Sequence, residues 1–163
     1  MSIEAEPARN NVRTYMRMAK AYVEELSQYD AAIRYDSGAV RKEADDTLLF
    51  AKDGRFVGFV DAKIERLPDG QDVLYIAEFY IDPAFRRRGV GTEIMDAILN
   101  IWKGDMYLHV LHENETAKRF WEYIEHRFDF WRVYDSRKLR YLEQDPSCEV
   151  RMLQRSLSKG ESR

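Results

Sequence analysis

Three arginines and two glycines, Arg86-Arg87-Arg88-Gly89-Val90-Gly91, stand where an apolar run gives way to helical periodicity, and the chemistry open to them is anion binding. The first amides of a helix lack intrahelical acceptors, and the helix dipole adds partial positive charge there. Gly89 and Gly91 let a ligand approach the backbone without a Cβ in the way, and the guanidinium groups raise the local potential. Such a junction suits a phosphate-bearing guest.

A Walker loop needs Gly, four residues, then Gly-Lys-Ser/Thr, and that string is absent. A dinucleotide fingerprint needs a third glycine where Ile94 stands. Both are excluded. The second chemically suggestive residue is Glu78, inside Leu74-Tyr-Ile-Ala-Glu-Phe-Tyr-Ile81. A carboxylate in that setting is desolvated or partnered, and desolvation moves its pKa toward the range of a general base. It reads equally as a structural carboxylate satisfied by an arginine. His109-x-x-His112 does not read as a metal site, because positions i and i+3 of a strand face opposite sides and no third ligand is placed to complete it. His112 is a secondary candidate base.

The elements that position these groups follow from periodicity. Val73 to Ile81 is apolar on both faces and suits an inner strand, stopped by Asp82-Pro83. Val90, Ile94, Ile98 and Trp102 predict a helix over about 91–102. Upstream, Ser2 to Ala8 alternates as a first strand, and Val12, Tyr15, Met16, Ala19, Tyr22, Val23 and Leu26 form one face of a long helix whose tyrosines read as core. Residues 27–46 are polar, with a helical turn at Ala39 to Ala44 and Tyr29 and Tyr35 under a solvated connection. Thr47 to Lys52 and Arg55 to Glu65 predict strands joined by Asp53-Gly54, and Leu67-Pro-Asp-Gly70 turns into the central strand. A strand over Asp105 to Leu111, a helix carrying Ala117, Phe120, Trp121 and Ile124, and closing strands over Phe130 to Tyr134 and Cys148 to Leu153 complete the order. The end, from Ser156, is expected to fray.

At 163 residues, 45% hydrophobic and 13% aromatic, the chain predicts one domain, 1–163, with a sizeable core. A net charge of -3 gives no basic excess for nucleic acid. The lone Cys148 forbids an internal disulfide, and no run approaches the ~20 apolar residues of a membrane span. The N-terminus lacks a signal-peptide layout, so a cytoplasmic protein is expected, and the sequon at Asn114-Glu115-Thr116 is read as accidental.

Arg86-x-x-Gly89-x-Gly91 after Phe-Tyr-Ile-Asp-Pro resembles the acyl-CoA-binding signature, Gln/Arg-x-x-Gly-x-Gly/Ala, of the GNAT superfamily of N-acyltransferases. Asn114-Glu-Thr-Ala117-Lys-Arg-Phe120-Trp121 resembles its second motif, Asn-x-x-Ala-x-x-Phe/Leu-Tyr. The motifs cover about residues 73–125. The resemblance implies an α/β (α+β) fold, a central mixed sheet of six or seven strands with about four helices. It implies acetyl transfer from acetyl-CoA, as co-substrate and without metal, to a primary amine of a small molecule or protein by direct attack. The pyrophosphate would lie on Arg86, Arg87, Arg88, Gly89, Val90, Gly91 and Thr92. The pantetheine arm would pair with backbone near Phe79 and Ile81, where the fourth and fifth strands of the family splay. Asn114 would contact the arm or cap a helix, and the first helices would wall the acceptor. A membrane or nucleic-acid partner is not implied; a homodimer is left open.

Two departures from the pattern stand out. Trp121 occupies the place of the tyrosine that protonates the departing thiolate, and indole cannot be that acid. Tyr134, Tyr80 or water would take the role, and a thiolate of pKa ~8.5 leaves fairly well unaided. His126-Arg127-Phe128 replaces the Gly-Phe that usually follows the helix. The alternative to an active enzyme is the same fold kept as a catalytically weak acyl-CoA-binding regulatory module.

Overall fold

Asp53 (φ 53°) and Gly54 (φ 77°) both adopt the left-handed conformation that a two-residue hairpin turn needs, and they join β2 (Thr47–Lys52) to β3 (Arg55–Arg66). β3 returns through the Leu67–Gly70 turn into β4 (Asp72–Ile81), so three consecutive strands form the expected meander. The computed structural model describes residues 2–134, 139, 142 and 145–156. The remaining elements are β1 (Ile3–Pro7), α1 (Val12–Leu26), α2 (Ser37–Glu43), α3 (Val90–Ile101), β5 (Met106–Leu111), α4 (Glu115–Arg127), β6 (Phe130–Val133) and β7 (Cys148–Arg155). Seven strands form one sheet in the order β1-β2-β3-β4-β5-β7-β6. The order of elements along the chain is the one the periodicities predict, and the sheet reaches the upper bound of six or seven strands.

The chain divides into two compact units, one of residues 1–63 with 76–101 and the other of residues 64–75 with 102–163. In the first, α1 lays Tyr15, Met18 and Ala19 onto Leu49 of β2, Phe59 of β3 and Tyr80 of β4, with Ala44 after α2 closing the cluster. Tyr15 meets Phe59 edge-on at 5.2 Å and Phe59 stacks on Tyr80 at 5.4 Å, so the packing is aromatic and directional. Gly58 allows the approach of β3 to β4: a Cβ there would stand 2.1 Å from the Tyr80 carbonyl oxygen. In the second unit, Leu67, Val73, Tyr107, Leu142 and Met152 form the core. The Arg151 guanidinium, 2% exposed, lies 3.2 Å from Glu149, 3.7 Å from Glu125 and 3.9 Å from Glu122, which ties α4 to β7.

Local differences from the sequence reading have simple causes. The helical turn expected from Ala39 starts earlier, because the Asp36 carboxylate accepts from the amides of Gly38 and Ala39 and caps α2 at Ser37. Trp102 falls beyond α3, and its indole N–H donates to the Asp105 carbonyl at 2.8 Å instead of extending the helix face. β7 runs two residues past Leu153 because Gln154 and Arg155 pair with Trp131 and Phe130 of β6. The fraying expected after Ser156 concerns residues 157–163, outside the described residues.

Candidate active site

The strand-to-helix junction is built by its own sequence. β4 ends at Ile81; the Asp82 carboxylate accepts from the Ala84 amide at 3.0 Å and caps a short 3-10 turn, Pro83–Phe85. Arg87 (φ 62°) and Gly89 (φ 76°) are both left-handed, an alternation that turns successive amides toward one side, as in anion-binding nests. The first bond of the helix runs from the Glu93 amide to the Gly89 carbonyl at 3.0 Å, so the amides of Val90, Gly91 and Thr92 precede it and find no acceptor within the helix. A Cβ added at Gly89 would meet nothing within 4 Å, so the turn stands open. Glu93, the acidic residue of the first helical turn, is neutralised by Lys52 at 2.6 Å.

The three arginines of this turn are not equivalent. Arg86 folds back: its Nε donates to the Ile81 carbonyl at 2.8 Å, its Nη2 bridges both carboxylate oxygens of Glu25 at 2.8 Å, and its guanidinium lies 5.5 Å from the Tyr80 ring centroid. It locks the end of β4 to α1, and its charge is balanced by Glu25. Arg87 and Arg88 are exposed. The positive potential at the turn therefore comes from these two and from the helix end.

Glu78 lies half-buried on β4, facing α1, where the Tyr22 hydroxyl donates to its Oε2 at 2.5 Å. Burial pushes its pKa from 4.5 up to about 7, the Tyr22 bond works against that rise, and the Glu43 and Asp61 carboxylates add to it. Such a carboxyl holds its proton weakly enough to release it and strongly enough to take one near neutrality. Tyr80, buried two residues on, is pushed up to about 12 by burial and by Glu25 and Asp82, and stays protonated. Tyr22 read as core in the sequence; 56 residues separate it from Glu78, and no local pattern announces the pair. Replacing Tyr22 with Phe removes the interaction that holds the Glu78 pKa down. The pH at which the acid limb of turnover reaches half its height is expected to rise by about one unit. An unmoved limb in a pH–rate profile would separate Tyr22 from Glu78.

In the second unit, Asn114 stands at the head of a helix. Its side chain accepts from the Ala117 amide at 3.1 Å and is the N-cap of α4. Trp121 is 6% exposed, with Phe120 edge-on at 4.9 Å. Tyr134 follows β6 and is 79% exposed. Phe79 and Ile81 are half-buried on β4, and Thr92 is half-buried in the first turn of α3. The structure thus brings Glu78, Phe79, Ile81 and residues 86–92 into the first unit, and Asn114, Trp121 and Tyr134 into the second. Among the described residues no helix is long and apolar enough to cross a membrane.

Comparison with known proteins places the chain in a family. The model of the acetyltransferase (GNAT) family matches residues 11–124. The curated N-alpha-acetyltransferase 50 of Danio rerio is 31% identical over a 106-residue alignment that covers 62% of this chain; the chain spans 59% of that relative's length. Diaminobutyrate acetyltransferase EctA of Paenibacillus lautus, solved with L-2,4-diaminobutyric acid and coenzyme A, superposes with a TM-score of 0.65 at 12% identity, covering 97% of this chain and 98% of its own. Naa50 of Arabidopsis thaliana, solved with a bisubstrate analogue CoA-Ac-MVNAL, superposes with a TM-score of 0.58 at 20% identity, covering 96% and 100%. With more than half its length matched by the family model, strands and helices in the expected succession and an open amide turn at the head of α3, the chain belongs to the acetyltransferase (GNAT) family.

Proposed function

We propose that the protein works as one N-acetyltransferase domain that moves an acetyl group from acetyl-CoA to a primary amine, with the glycine turn as diphosphate seat and Glu78 as base. The observation that carries this reading is the open turn at 87–92: left-handed Arg87 and Gly89, unclaimed first-turn amides, two exposed guanidinium groups and free space above Gly89. Those groups fit a diphosphate by charge and by donor geometry. The main chain at Phe79 and Ile81 would run beside the pantetheine arm.

Glu78 supplies the proton chemistry. An ammonium group is not a nucleophile, so the acceptor nitrogen must first lose a proton, which Glu78 accepts directly or through water. The nitrogen lone pair then forms a C–N bond to the thioester carbonyl carbon, the C–S bond breaks, and the proton that the nitrogen sheds on becoming an amide passes through water to the sulfur, which leaves as the free thiol. Trp121 is buried and its indole has no acidic proton to give, and the missing acid is tolerable for a thiolate leaving group. The curated relative's name points to a protein N-terminus as acceptor, and the EctA complex to a small amine. The test is acetyl-CoA consumption with stoichiometric thiol release across a panel of peptide and small amines. Thiol release that depends on the amine supports transfer; CoA binding without it would leave only an acyl-CoA-binding module.

A further inference from the structure

One buried charge in the first unit has no partner adequate to it. Asp61 on β3 is 2% exposed, and among the described residues its Oδ1 accepts no hydrogen bond. Its other oxygen lies 3.9 Å from Lys63, whose side chain is 43% exposed, a long contact with a solvated cation. An isolated carboxylate in such a place is costly unless something positive completes it.

Its position is fixed by strand register. Thr47 pairs with Asp61 across β2 and β3. The Asp82 amide donates to the Val57 carbonyl and Phe59 stacks on Tyr80, and the same antiparallel step sets Asp61 opposite Glu78. Leu49, Phe59 and Tyr80 share the core cluster under α1, so by the two-residue period Thr47, Asp61 and Glu78 form a row on that same face. Two carboxylates directly opposite one another repel. Glu43 and Asp46 stand exposed beside the row, and Tyr15, pushed up to about 12 by burial, feels Glu43, Asp61 and Glu78 together. Burial, with Glu43 and Asp46, pushes Asp61 itself up to about 6 against the pull of Lys63. Among the described residues no group of three His, Cys, Asp or Glu is placed to hold a metal ion, so the cation that suits this row is an organic one.

We propose that Asp61 seats a second ammonium group of the acceptor, so that the substrate is a small diamine or polyamine whose reacting nitrogen lies at Glu78. The inference rests on the transferase reading for the role of Glu78. Cross-strand neighbours stand roughly 5 Å apart at Cβ, which suits nitrogens separated by three or four carbons. Glu78 takes the proton of one nitrogen, and Asp61, which remains ionised, holds the other.

The experiment compares 1,4-diaminobutane with n-butylamine in acetyl transfer, and by calorimetry in the presence of CoA, for the wild type and Asp61→Asn. The wild type is expected to prefer the diamine roughly tenfold or more in kcat/KM and in affinity, as a charge-assisted hydrogen bond provides. Asp61→Asn is expected to lose that preference, read as the ratio of diamine to n-butylamine within the same variant, so that any change at Glu78 common to both amines cancels. Its melting temperature checks folding and is expected to equal or exceed that of the wild type at pH 8, because a buried charge has been removed. Equal use of the two amines by the wild type, or a preference that survives in Asp61→Asn, overturns the proposal while leaving amine transfer intact. Should neither amine be acetylated, the transferase reading is what fails, and the calorimetric arm still decides: diamine affinity that depends on Asp61 supports the seat, and its absence overturns it.

Discussion

Glu78→Gln is expected to lower turnover near pH 7 by about a hundredfold, the scale of a positioned general base, with acetyl-CoA affinity unchanged. Glutamine keeps the volume and can still accept from Tyr22, so the fold cost is small, but it cannot take a proton. The pH dependence carries the diagnostic sign. In the wild type the Glu78 carboxyl, at about 7, is protonated and idle below that pH, so turnover rises as pH passes through it. In Glu78→Gln this limb disappears, and the remaining rise follows deprotonation of the acceptor amine, which for an alkylamine lies toward ~10. The deficit therefore shrinks as pH increases. A deficit constant across pH would make Glu78 a structural carboxylate.

Gly89→Glu is expected to abolish acetyl-CoA binding, a loss of at least a hundredfold in calorimetry, because a carboxylate would stand in the diphosphate seat against two phosphates. The space above Gly89 is open, so the new side chain meets no protein atom; the folding cost is only that of a left-handed non-glycine residue, about 1 kcal/mol. Arg87 already carries that cost two residues earlier, which shows that the fold tolerates it here. A variant that melts near the wild type yet fails to bind locates the seat; one that binds normally removes it.

The carboxylates facing α1 also shape stability. Asp61 and Glu78 have folded pKa values raised to about 6 and about 7, so the folded state holds protons that the unfolded state releases near pH 4. Their contribution is neutral below about pH 4 and becomes unfavourable as pH rises toward 7. Were an ammonium group to bind at Asp61 as proposed, part of that cost would be regained.

Alternation and helical spacing placed the seven strands and three of the four helices, because each of these covers one or both faces with apolar residues without regard to distant partners, whereas α2 buries no side chain and showed only as a turn at Ala39 to Ala44. Asp53-Gly54 and Asp82-Pro83 marked their turns by local backbone chemistry. The insertion of β7 between β5 and β6 has no local signal, since it depends on which edge a returning strand finds. The same holds for the site. The amide turn is local and legible; the retreat of Arg86 onto Glu25, 61 residues away, and the bond from Tyr22 to Glu78 are tertiary and were not. Asp61 did leave a trace. Val57, Phe59 and Asp61 share one face of β3, so a charge continuing an inward apolar register could have been singled out.

The central claim, that free amides at the head of α3 hold the diphosphate of coenzyme A, is tested most directly by calorimetric titration of the wild type with CoA and with pantetheine, which lacks the diphosphate and nucleoside. The account predicts that CoA binds and that pantetheine binds at least a hundredfold more weakly, the Arg87, Arg88 and amide contacts being lost together. Equal affinity for the two would contradict it.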